Sequence, residues 1–322
     1  MNPPIRLIHV SDLHFTVRPR LLRPAEWVGK RFTGWAAGTA TGRFRRFRAA
    51  KTLVGAVVTD VLARRPDAVI FSGDATSLAL PAEFAAAAAA LRADDPAMPA
   101  AVAVPGNHDY YTRLAAAAGG FEAAFAAWQV GERVGGHVYP FARRVGHAWL
   151  VAVNSATPNR LPADASGEIG AAQLERLREL CAGLAPGPRL LVTHYPLRTP
   201  AGRLEIPARR LRDHAAALET AVACGVGVWL HGHIHAGFVN FATAAVPIPQ
   251  VCCGSTTQRG RPAVTEYTLT GGVLEGVRRV YDARGGGFRP AETFTLTLAS
   301  GGRQPPESGG VTRPAAGADS GG

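Results

Sequence analysis

The sequence has few cysteines and no long apolar run, and each shortage excludes a class of protein. Its four cysteines show neither the density of a disulfide framework nor C-x-x-C spacing, so we expect reduced thiols. No run of about 18 apolar residues is present, and the short segment before the first apolar run leaves no room for a signal peptide. With 322 residues, 47% of them hydrophobic, the chain can bury a large core. We therefore expect a soluble cytoplasmic protein and leave open a peripheral contact at the inner face of the membrane.

Acidic residues are almost missing between Arg18 and Lys51, a stretch with ten basic residues and one acid, Glu26. This local excess of nine accounts for most of the net charge of +11. Aromatic residues lie among the basic ones: Trp27, Phe32, Trp35, Phe44 and Phe47. We interpret residues 16–50 as an insertion over or beside the functional site, suited to an anionic substrate or, through residues 18–51, an anionic membrane surface. Nucleic acid is disfavoured because no known binding module accompanies the stretch, and the remaining alternative is a solvated arm whose aromatic residues only pack on the domain.

Polar residues follow five short apolar runs that are typical of buried strands. The runs are Leu7–Val10, Ala68–Phe71, Ala101–Val104, Leu190–Val192 and Val226–Leu230. The residues after them that can bind a metal ion are Asp12, His14, Asp74, Asn107, His194, His233 and His235, with His108 and Asp109 beside Asn107. Because ligands of an open α/β sheet bind at the carboxyl ends of its strands, we expect these side chains to meet.

Two smaller expectations concern the histidines. We interpret residues 5–15 as one strand, in which Asp12 and His14 share a face because side chains alternate along a strand. His9 is expected to pack in the core, and His231 is either a core residue or a contact to the substrate.

The candidate ligands are too many for one four-coordinate ion and suit two ions that share a ligand. Carboxylate, imidazole and amide groups favour manganese, iron or zinc over calcium, and the absence of thiolate argues against a structural zinc site. Two such ions can clamp the attacking and leaving oxygens of a displacement at phosphorus and lower the pKa of a bridging water.

The same residues, in the same order, resemble the motifs of the calcineurin-like metallophosphoesterases over about residues 5–255. The blocks are Asp12-x-His14, Gly73-Asp74, Gly106-Asn107-His108-Asp109, His194 and Gly232-His233-x-His235. The resemblance implies one metal held by Asp12, His14, Asp74 and His235, and a second held by Asp74, Asn107, His194 and His233. It also implies that His108 donates a proton to the leaving oxygen or stabilises charge on the phosphoryl group, and that Asp109 orients the His108 ring by a hydrogen bond. The implied fold is a four-layer αββα sandwich of two mixed β-sheets flanked by helices.

The sequence of this chain differs from the motifs of two subclasses of the family, which argues against membership of either subclass. Serine/threonine protein phosphatases of this family carry Asp-Arg-Gly at the bridging aspartate, where this chain has Asp74-Ala75-Thr76. They also have Glu where this chain has Asp109, and purple acid phosphatases have a metal-bound Tyr at the position of Ser77. The segments Asp12–Phe15 and Pro105–Tyr110 look like those of bacterial phosphodiesterases.

The function predicted from these features is a metal-dependent phosphoesterase that uses a metal-bridging hydroxide for in-line attack on a phosphodiester or phosphomonoester. The substrate would be a phosphorylated small molecule or a lipid-linked phosphate. One alternative is a membrane-associated pyrophosphohydrolase acting on a nucleotide-linked lipid such as UDP-diacylglucosamine. The non-enzymatic alternative is an interaction scaffold on the same fold, which is disfavoured because His108 and every motif ligand are present.

Periodicity and turn residues predict the remaining elements. We expect a helix from about Phe47 that ends before Pro66, and helices at Pro81–Ala93, Leu114–Trp128 (irregular at Gly119-Gly120), Ile169–Leu184 and Pro207–Cys224. A hairpin is expected at Val138–Val153, and a mostly antiparallel finishing sheet from the runs Val246–Cys253, Ala263–Leu269, Val273–Tyr281 and Thr293–Leu298. We assign residues 1–299 to one domain and residues 300–322 to a disordered tail.

Overall fold

Two mixed β-sheets form the centre of the computed structural model, which describes residues 2–17, 29–161, 163–298 and 311–312. The strands in these ranges are β1 (Ile5–Val10), β2 (Ala68–Phe71), β3 (Ala100–Ala103), β4 (Glu132–Arg133), β5 (Phe141–Val145), β6 (Ala148–Ala152), β7 (Arg189–Val192), β8 (Val226–His231), β9 (Phe238–Asn240), β10 (Gln250–Cys252), β11 (Ala263–Thr270), β12 (Val273–Asp282), β13 (Gly287–Thr297) and β14 (Val311–Thr312). The α-helices are α1 (Lys30–Ala40), α2 (Arg43–Arg46), α3 (Ala50–Arg64), α4 (Pro81–Leu91), α5 (Arg113–Ala117), α6 (Gly120–Ala124), α7 (Ala171–Gly183) and α8 (His214–Ala223).

Each sheet combines parallel and antiparallel strands. Within the described ranges the first sheet has the order β14-β13-β12-β11-β1-β2-β3, and the second has the order β4-β5-β6-β7-β8-β10-β9. In the first sheet β1, β2 and β3 are parallel, and in the second β6, β7, β8 and β10 are parallel. The parallel strands place their carboxyl ends at one edge of each sheet, where ligand sites form.

Strand β1 shows how the sequence produces the layers. Ile5 and Leu7 face the core between the two sheets, whereas Ile8 and Val10 face the core under α3 and α4. Side chains of a strand alternate between its faces, so a continuous apolar run serves both cores. The outer face of the second sheet is covered by α7 and α8 in the same way. The four-layer αββα sandwich predicted from the family resemblance is confirmed.

Most helices lie close to their predicted bounds, with two informative differences. The helix predicted at Leu114–Trp128 divides into α5 and α6 at Gly119, and ends in a 3-10 turn, Ala126–Trp128. The helix predicted from Pro207 was wrong over its first turns, because α8 begins at His214. The chain before it forms turns that bring the Arg209 carbonyl to the ring of His233.

The finishing strands also differ from the prediction. Strands β11, β12 and β13 are antiparallel as expected, but they extend the first sheet through β1. Strand β10 was predicted wrongly, because it pairs in parallel with β8 in the second sheet. Within the predicted tail, Val311–Thr312 pairs with β13 as β14, and the other tail residues lie outside the described ranges.

The basic insertion is described from Gly29 onward, and its residues 18–28 lie outside the described ranges. The described part packs on the domain: Phe47 is buried, and Trp35 and Phe44 are half-buried against the same core as α3. None of the helices in the described ranges is long and apolar enough to cross a bilayer.

Candidate metal centre

Five loops at the carboxyl ends of parallel strands carry the candidate ligands. The first sheet supplies Asp12 and His14 after β1, Asp74 after β2 and Asn107 after β3. The second sheet supplies His194 after β7, and His233 and His235 after β8. The prediction that Asp12 and His14 share a strand face was wrong, because β1 ends at Val10 and both residues lie in the loop that follows.

These loops adopt a backbone conformation that most residues avoid. The candidate ligands with positive φ are Asp12 (53°), His14 (49°), Asp74 (59°), His233 (67°) and His235 (61°). This left-handed conformation costs a residue with a Cβ atom about 1–2 kcal/mol, and Asp and His adopt it more readily than most. The sharp turns point each of these side chains back toward the junction of the two sheets.

Glycines permit the close approach of the loops. Gly106 and Gly232 each stand directly before a candidate ligand. A Cβ atom on Gly106 would collide with the Asp74 carboxylate, and one on Gly232 would collide with the side chains of Ser11 and Asp12. The Gly-Asn-His and Gly-His-x-His motifs therefore need glycine for space as well as for flexibility.

Asp12, His14, Asp74 and His235 form the first cluster, in which the potential ligand atoms all lie within 4.8 Å of one another. His14 Nε2 lies 3.0 Å from His235 Nε2, and His235 Nε2 lies 3.1 Å from Asp12 Oδ1. Asp12 and Asp74 are almost fully buried. The other Asp12 oxygen accepts the backbone N–H of His233 at 3.1 Å, which ties the β1 loop to the β8 loop.

Asp74, Asn107, His194 and His233 form the second cluster. Asn107 Oδ1 lies 3.1 Å from His233 Nδ1 and 3.3 Å from His194 Nε2. Asp74 Oδ2 lies 3.4 Å from His194 Nε2 and 3.6 Å from His14 Nε2, so one oxygen stands between the two clusters. Asp74 Oδ1 instead accepts the backbone N–H of His108 at 2.8 Å, which fixes the orientation of the carboxylate.

Each of the four histidines is oriented by a hydrogen bond from the ring nitrogen that points away from the clusters. The donors and acceptors are His14 Nδ1 to Thr76 O (3.2 Å), His194 Nδ1 to Ser72 O (2.7 Å), His233 Nε2 to Arg209 O (3.0 Å) and His235 Nδ1 to Gln258 Oε1 (2.7 Å). Oxygens of carbonyl groups can only accept, so these ring nitrogens carry the hydrogens. The opposite nitrogens therefore face the clusters, where each can bind a metal ion once it carries no proton.

The residues present fit metal ions. His14 Nε2 and His235 Nε2 face each other at 3.0 Å as two acceptors, and this contact is favourable only with a proton or a cation between them. Asp12 Oδ1, 3.1 Å from His235 Nε2, is buried and has no hydrogen-bond donor within the described ranges. Neutral imidazole, carboxylate and amide oxygens are a ligand set for manganese, iron or zinc.

The negative charge of Asp74 raises the pKa of the neighbouring histidines and opposes the effect of burial on them. Burial lowers the pKa of His194, but the charge and hydrogen bond of Asp74 outweigh burial and raise that pKa to about 9. Burial holds the pKa of His14 well below its usual value, despite the opposing charge of Asp74. A divalent cation at Asp74 would displace the proton from His194, so binding is expected to release a proton.

His108 stands at the edge of the first cluster, with its ring centre 4.9 Å from that of His14. Its Nδ1 donates to the carbonyl of Ser77 at 2.9 Å, and its Nε2 accepts from Arg43 Nη1 at 3.3 Å. The Tyr111 ring stacks on the His108 ring, with the two ring centroids 5.5 Å apart. Burial, followed by the charge of Arg43, lowers the pKa of His108 to about 3.

The expected hydrogen bond from Asp109 to the His108 ring was wrong. The Asp109 carboxylate accepts the backbone N–H groups of Ala75, Thr76 and Gly106 at 3.0–3.2 Å, and the Thr76 hydroxyl at 3.0 Å. Its side chain is buried at the junction of the β2 and β3 loops, and the Ser77 carbonyl orients His108 in its place. Burial and then the charge of Asp74 raise the pKa of Asp109 to about 7, against the effect of these backbone donors.

A cavity of about 370 Å³ opens onto the clusters and is lined by residues that the motifs do not include. They are Arg43, Arg46 and Phe47 of the insertion, with Arg209 and Gln258 from later loops. The first three lie in the basic, aromatic stretch that the sequence placed over the site, and this placement is confirmed for the described part. Arg209 and Gln258 carry no local signal, because each reaches the site through tertiary packing.

The other two histidines near the motifs are core residues. His9 is buried and is bonded to the hydroxyls of Tyr267 (3.0 Å) and Ser72 (2.8 Å), as predicted. His231 is buried against Phe238, and its Nδ1 donates to the carbonyl of Gly232 at 2.9 Å. The structure therefore favours the core interpretation of His231.

The sequence profile of the calcineurin-like phosphoesterases matches residues 5–237, which covers all seven candidate ligands, His108 and Asp109. The chain belongs to this family. No curated protein matches the chain significantly in sequence.

Solved structures with the same fold include two phosphatases. A dimetal phosphatase from Danio rerio is 13% identical, with a TM-score of 0.62, and the match covers 92% of this chain and 99% of that one. Purple acid phosphatase PPD1 from yellow lupin is 11% identical, with a TM-score of 0.58, and the match covers 92% of this chain. This chain spans 54% of the lupin protein. At these identities the likeness establishes the shared fold.

Proposed function

We propose that the protein is a binuclear metal-dependent phosphoesterase. The observation that carries the proposal is the convergence of four imidazole nitrogens on two clusters with Asp74 Oδ2 between them. Asp12, His14 and His235 would hold one cation, Asn107, His194 and His233 the other, and Asp74 both. Such cations supply Lewis acidity and an activated water for hydrolysis at phosphorus.

The chain's own residues have separable roles in this reaction. The His108 ring lines the cavity beside the clusters, and Arg43 donates to its Nε2, so the two side chains together stand where the phosphoryl group or the leaving oxygen would bind. Its ring is fixed by the Ser77 carbonyl and by Tyr111. Asp109 supports the site by joining the β2 and β3 loops, which carry Asp74 and Asn107.

Hydrolysis of p-nitrophenyl phosphate and bis-p-nitrophenyl phosphate tests the proposal, with protein stripped by a chelator and then given manganese. We expect activity that requires the metal and that falls by about 10²–10⁴-fold in His108→Ala, while both ions stay bound. His137→Ala is the matched control, because His137 is exposed in a loop before β5. Equal activity of His108→Ala and His137→Ala would exclude the role of His108, and silence of the wild type with two bound ions would favour the scaffold.

A lipid-linked diphosphate is a second candidate substrate, and a groove supports it. The groove has a volume of about 980 Å³, and its lining combines alanines, several of them from α4, α5 and α6, with the charged residues Arg31, Arg92, Asp94 and Asp95. Arg31 donates to the carbonyls of Leu78 and Ala79, directly after the Ser77 carbonyl that holds His108. An acyl chain bound in the groove would therefore lie beside the segment that orients His108.

Hydrolysis of nucleotide-diphosphate lipids that differ only in acyl length tests this candidate. A longer chain should lower KM in the wild type, and Ala88→Glu in the groove should remove that gain. The same KM for short and long chains would exclude the groove as an acyl site.

A further inference from the structure

Arg43 is an arginine at the metal centre without an acidic partner. Its Nη1 contacts His108 Nε2 at 3.3 Å, and its Nη2 donates to the Ser77 carbonyl at 3.2 Å. In the described part of the chain its Nε is buried with no hydrogen-bond partner, and no carboxylate lies within the 4.0 Å of an ion pair. Arg43 is half-buried, and burial lowers the pKa of its guanidinium. A half-buried cation without a carboxylate beside it is better stabilised when an anionic ligand binds next to it.

The walls of the cavity share this excess of positive charge. Arg46 and Arg209 line it together with Arg43, and among its lining residues in the described ranges the only carboxylate is Asp74. Asp12 and Asp74 would offset half of the charge of two divalent cations. The remaining positive charge, with that of the arginines, favours a ligand with more than one negative charge.

The number of oxygens leads to the same conclusion. A phosphodiester has one negative charge and two nonbridging oxygens, whereas a terminal phosphoryl group has up to two charges and three such oxygens. A disubstituted diphosphate has its second charge on the neighbouring phosphoryl group. Arg43 offers further donors beside the metal ligands and His108, and a third nonbridging oxygen or a second phosphoryl group would supply an additional charged acceptor for them.

We propose that Arg43 contacts a phosphoryl oxygen of the substrate and selects phosphate compounds with a second negative charge, on the reacting phosphoryl group or on its neighbour. This inference rests on the proposed phosphoesterase function and names the substrate class of the same site. It assigns a purpose to the basic insertion, which supplies Arg43 from the short helix α2. The substrates expected from this inference are monoesters and diphosphates, in place of the phosphodiesters that the motifs suggest.

Three substrate classes test the selection: p-nitrophenyl phosphate, a disubstituted diphosphate and bis-p-nitrophenyl phosphate. Arg43→Gln should lower kcat/KM about 10²-fold or more for whichever doubly charged substrate the wild type hydrolyses, and only a few-fold for the diester. Arg43→Lys should recover part of the loss, because lysine keeps the charge but not the fork of donors. Arg45→Gln is the matched control, since Arg45 lies on the same helix, is exposed and does not line the cavity. The monoester and diphosphate arms distinguish the two sources of the second charge.

Binding of inorganic phosphate to the manganese-loaded protein, measured by calorimetry, gives a readout that does not depend on turnover. Arg43→Gln should bind phosphate at least tenfold more weakly with an unchanged metal content, and Arg45→Gln should bind it as the wild type does. Equal losses for diester and doubly charged substrates, or unchanged phosphate affinity, would overturn the inference. A wild type that hydrolyses none of the three substrates would refute the proposed function, and the phosphate titration would still decide whether Arg43 binds the anion.

Discussion

The two clusters of the metal centre share Asp74 but differ in charge. The first cluster contains two carboxylates, from Asp12 and Asp74, whereas the second adds to Asp74 only the neutral amide of Asn107. Both contain two histidines. Because affinity for a divalent cation rises with the charge of its ligands, the first cluster is expected to bind more tightly and the second to exchange its ion more readily.

The clusters also differ in what holds their histidines. In the second cluster both supports are backbone carbonyls, those of Ser72 and Arg209. In the first cluster one support is the Thr76 carbonyl and the other is the side chain of Gln258. A single substitution can therefore remove a support from the first cluster, whereas the supports of the second are part of the fold itself.

The largest effect on metal binding is expected for Asp74→Ala. This change would remove a ligand from both clusters and so abolish the difference in their metal affinity. The oxygen between His14 and His194 would be lost, so neither ion has its full ligand set. Metal analysis after dialysis should find less than one ion per chain, and activity should fall roughly a thousandfold or more. Asp94→Ala, at an exposed site, should keep both ions. If the Asp74→Ala protein still held two ions, the assignment of Asp74 as the shared ligand would be refuted.

Gln258→Ala should sharpen the comparison by weakening the first cluster alone. Without the acceptor for His235 Nδ1, the ring loses its orientation, and loss of such a support lowers metal affinity about 10–100-fold. Calorimetric titration of the stripped protein should show one weakened and one unchanged binding step. Gln258→Glu keeps an acceptor and adds a negative charge beside the first cluster, so it should bind at least as tightly as the wild type; an equal weakening of both steps in Gln258→Ala would show that the clusters are not independently supported.

The smallest effect on the metal centre is expected for Glu83→Gln, which acts on stability. Glu83 is buried and accepts the backbone N–H groups of Leu78 (2.8 Å) and Leu80 (3.3 Å), next to the segment whose Thr76 carbonyl orients His14 in the first cluster. Burial raises the pKa of Glu83 from 4.5 to about 7, and the backbone donors oppose that shift. Between these pH values the folded chain keeps a proton that the unfolded chain has lost, so wild-type stability declines as pH rises from about 4.5 to 7.

Glutamine stays neutral, so this decline should be absent in Glu83→Gln. The variant should be about 3 kcal/mol more stable than the wild type at pH 8 and no more stable at pH 4. Urea unfolding of both proteins across this range measures the difference. Parallel pH profiles of the two proteins would show that Glu83 titrates normally in the folded state.

The sequence predicted the ligand set and the sandwich because both depend on local features: apolar runs of strand length and polar residues directly after them. It did not predict how neighbouring side chains in a loop divide their roles. Asp109 follows His108 directly, yet one points into a loop junction and the other into the cavity. Gln258 and Arg209 were missed for a different reason, since they meet His235 and His233 only through long-range packing. The start of α8 was misplaced because residues 207–213 have helical periodicity but are used for turns over the site.

The left-handed backbone at Asp12, His14, Asp74, His233 and His235 has an evolutionary consequence. Glycine would relax each of these turns, so selection for folding alone favours losing the ligands. Selection for the bound ions opposes this loss, and at Asp12 and Asp74 so do the hydrogen bonds that each carboxylate accepts from the backbone of a neighbouring loop. A descendant of this chain that no longer needs catalysis is therefore expected to drift toward glycine at these turns, and to become a more stable protein as its metal centre disappears.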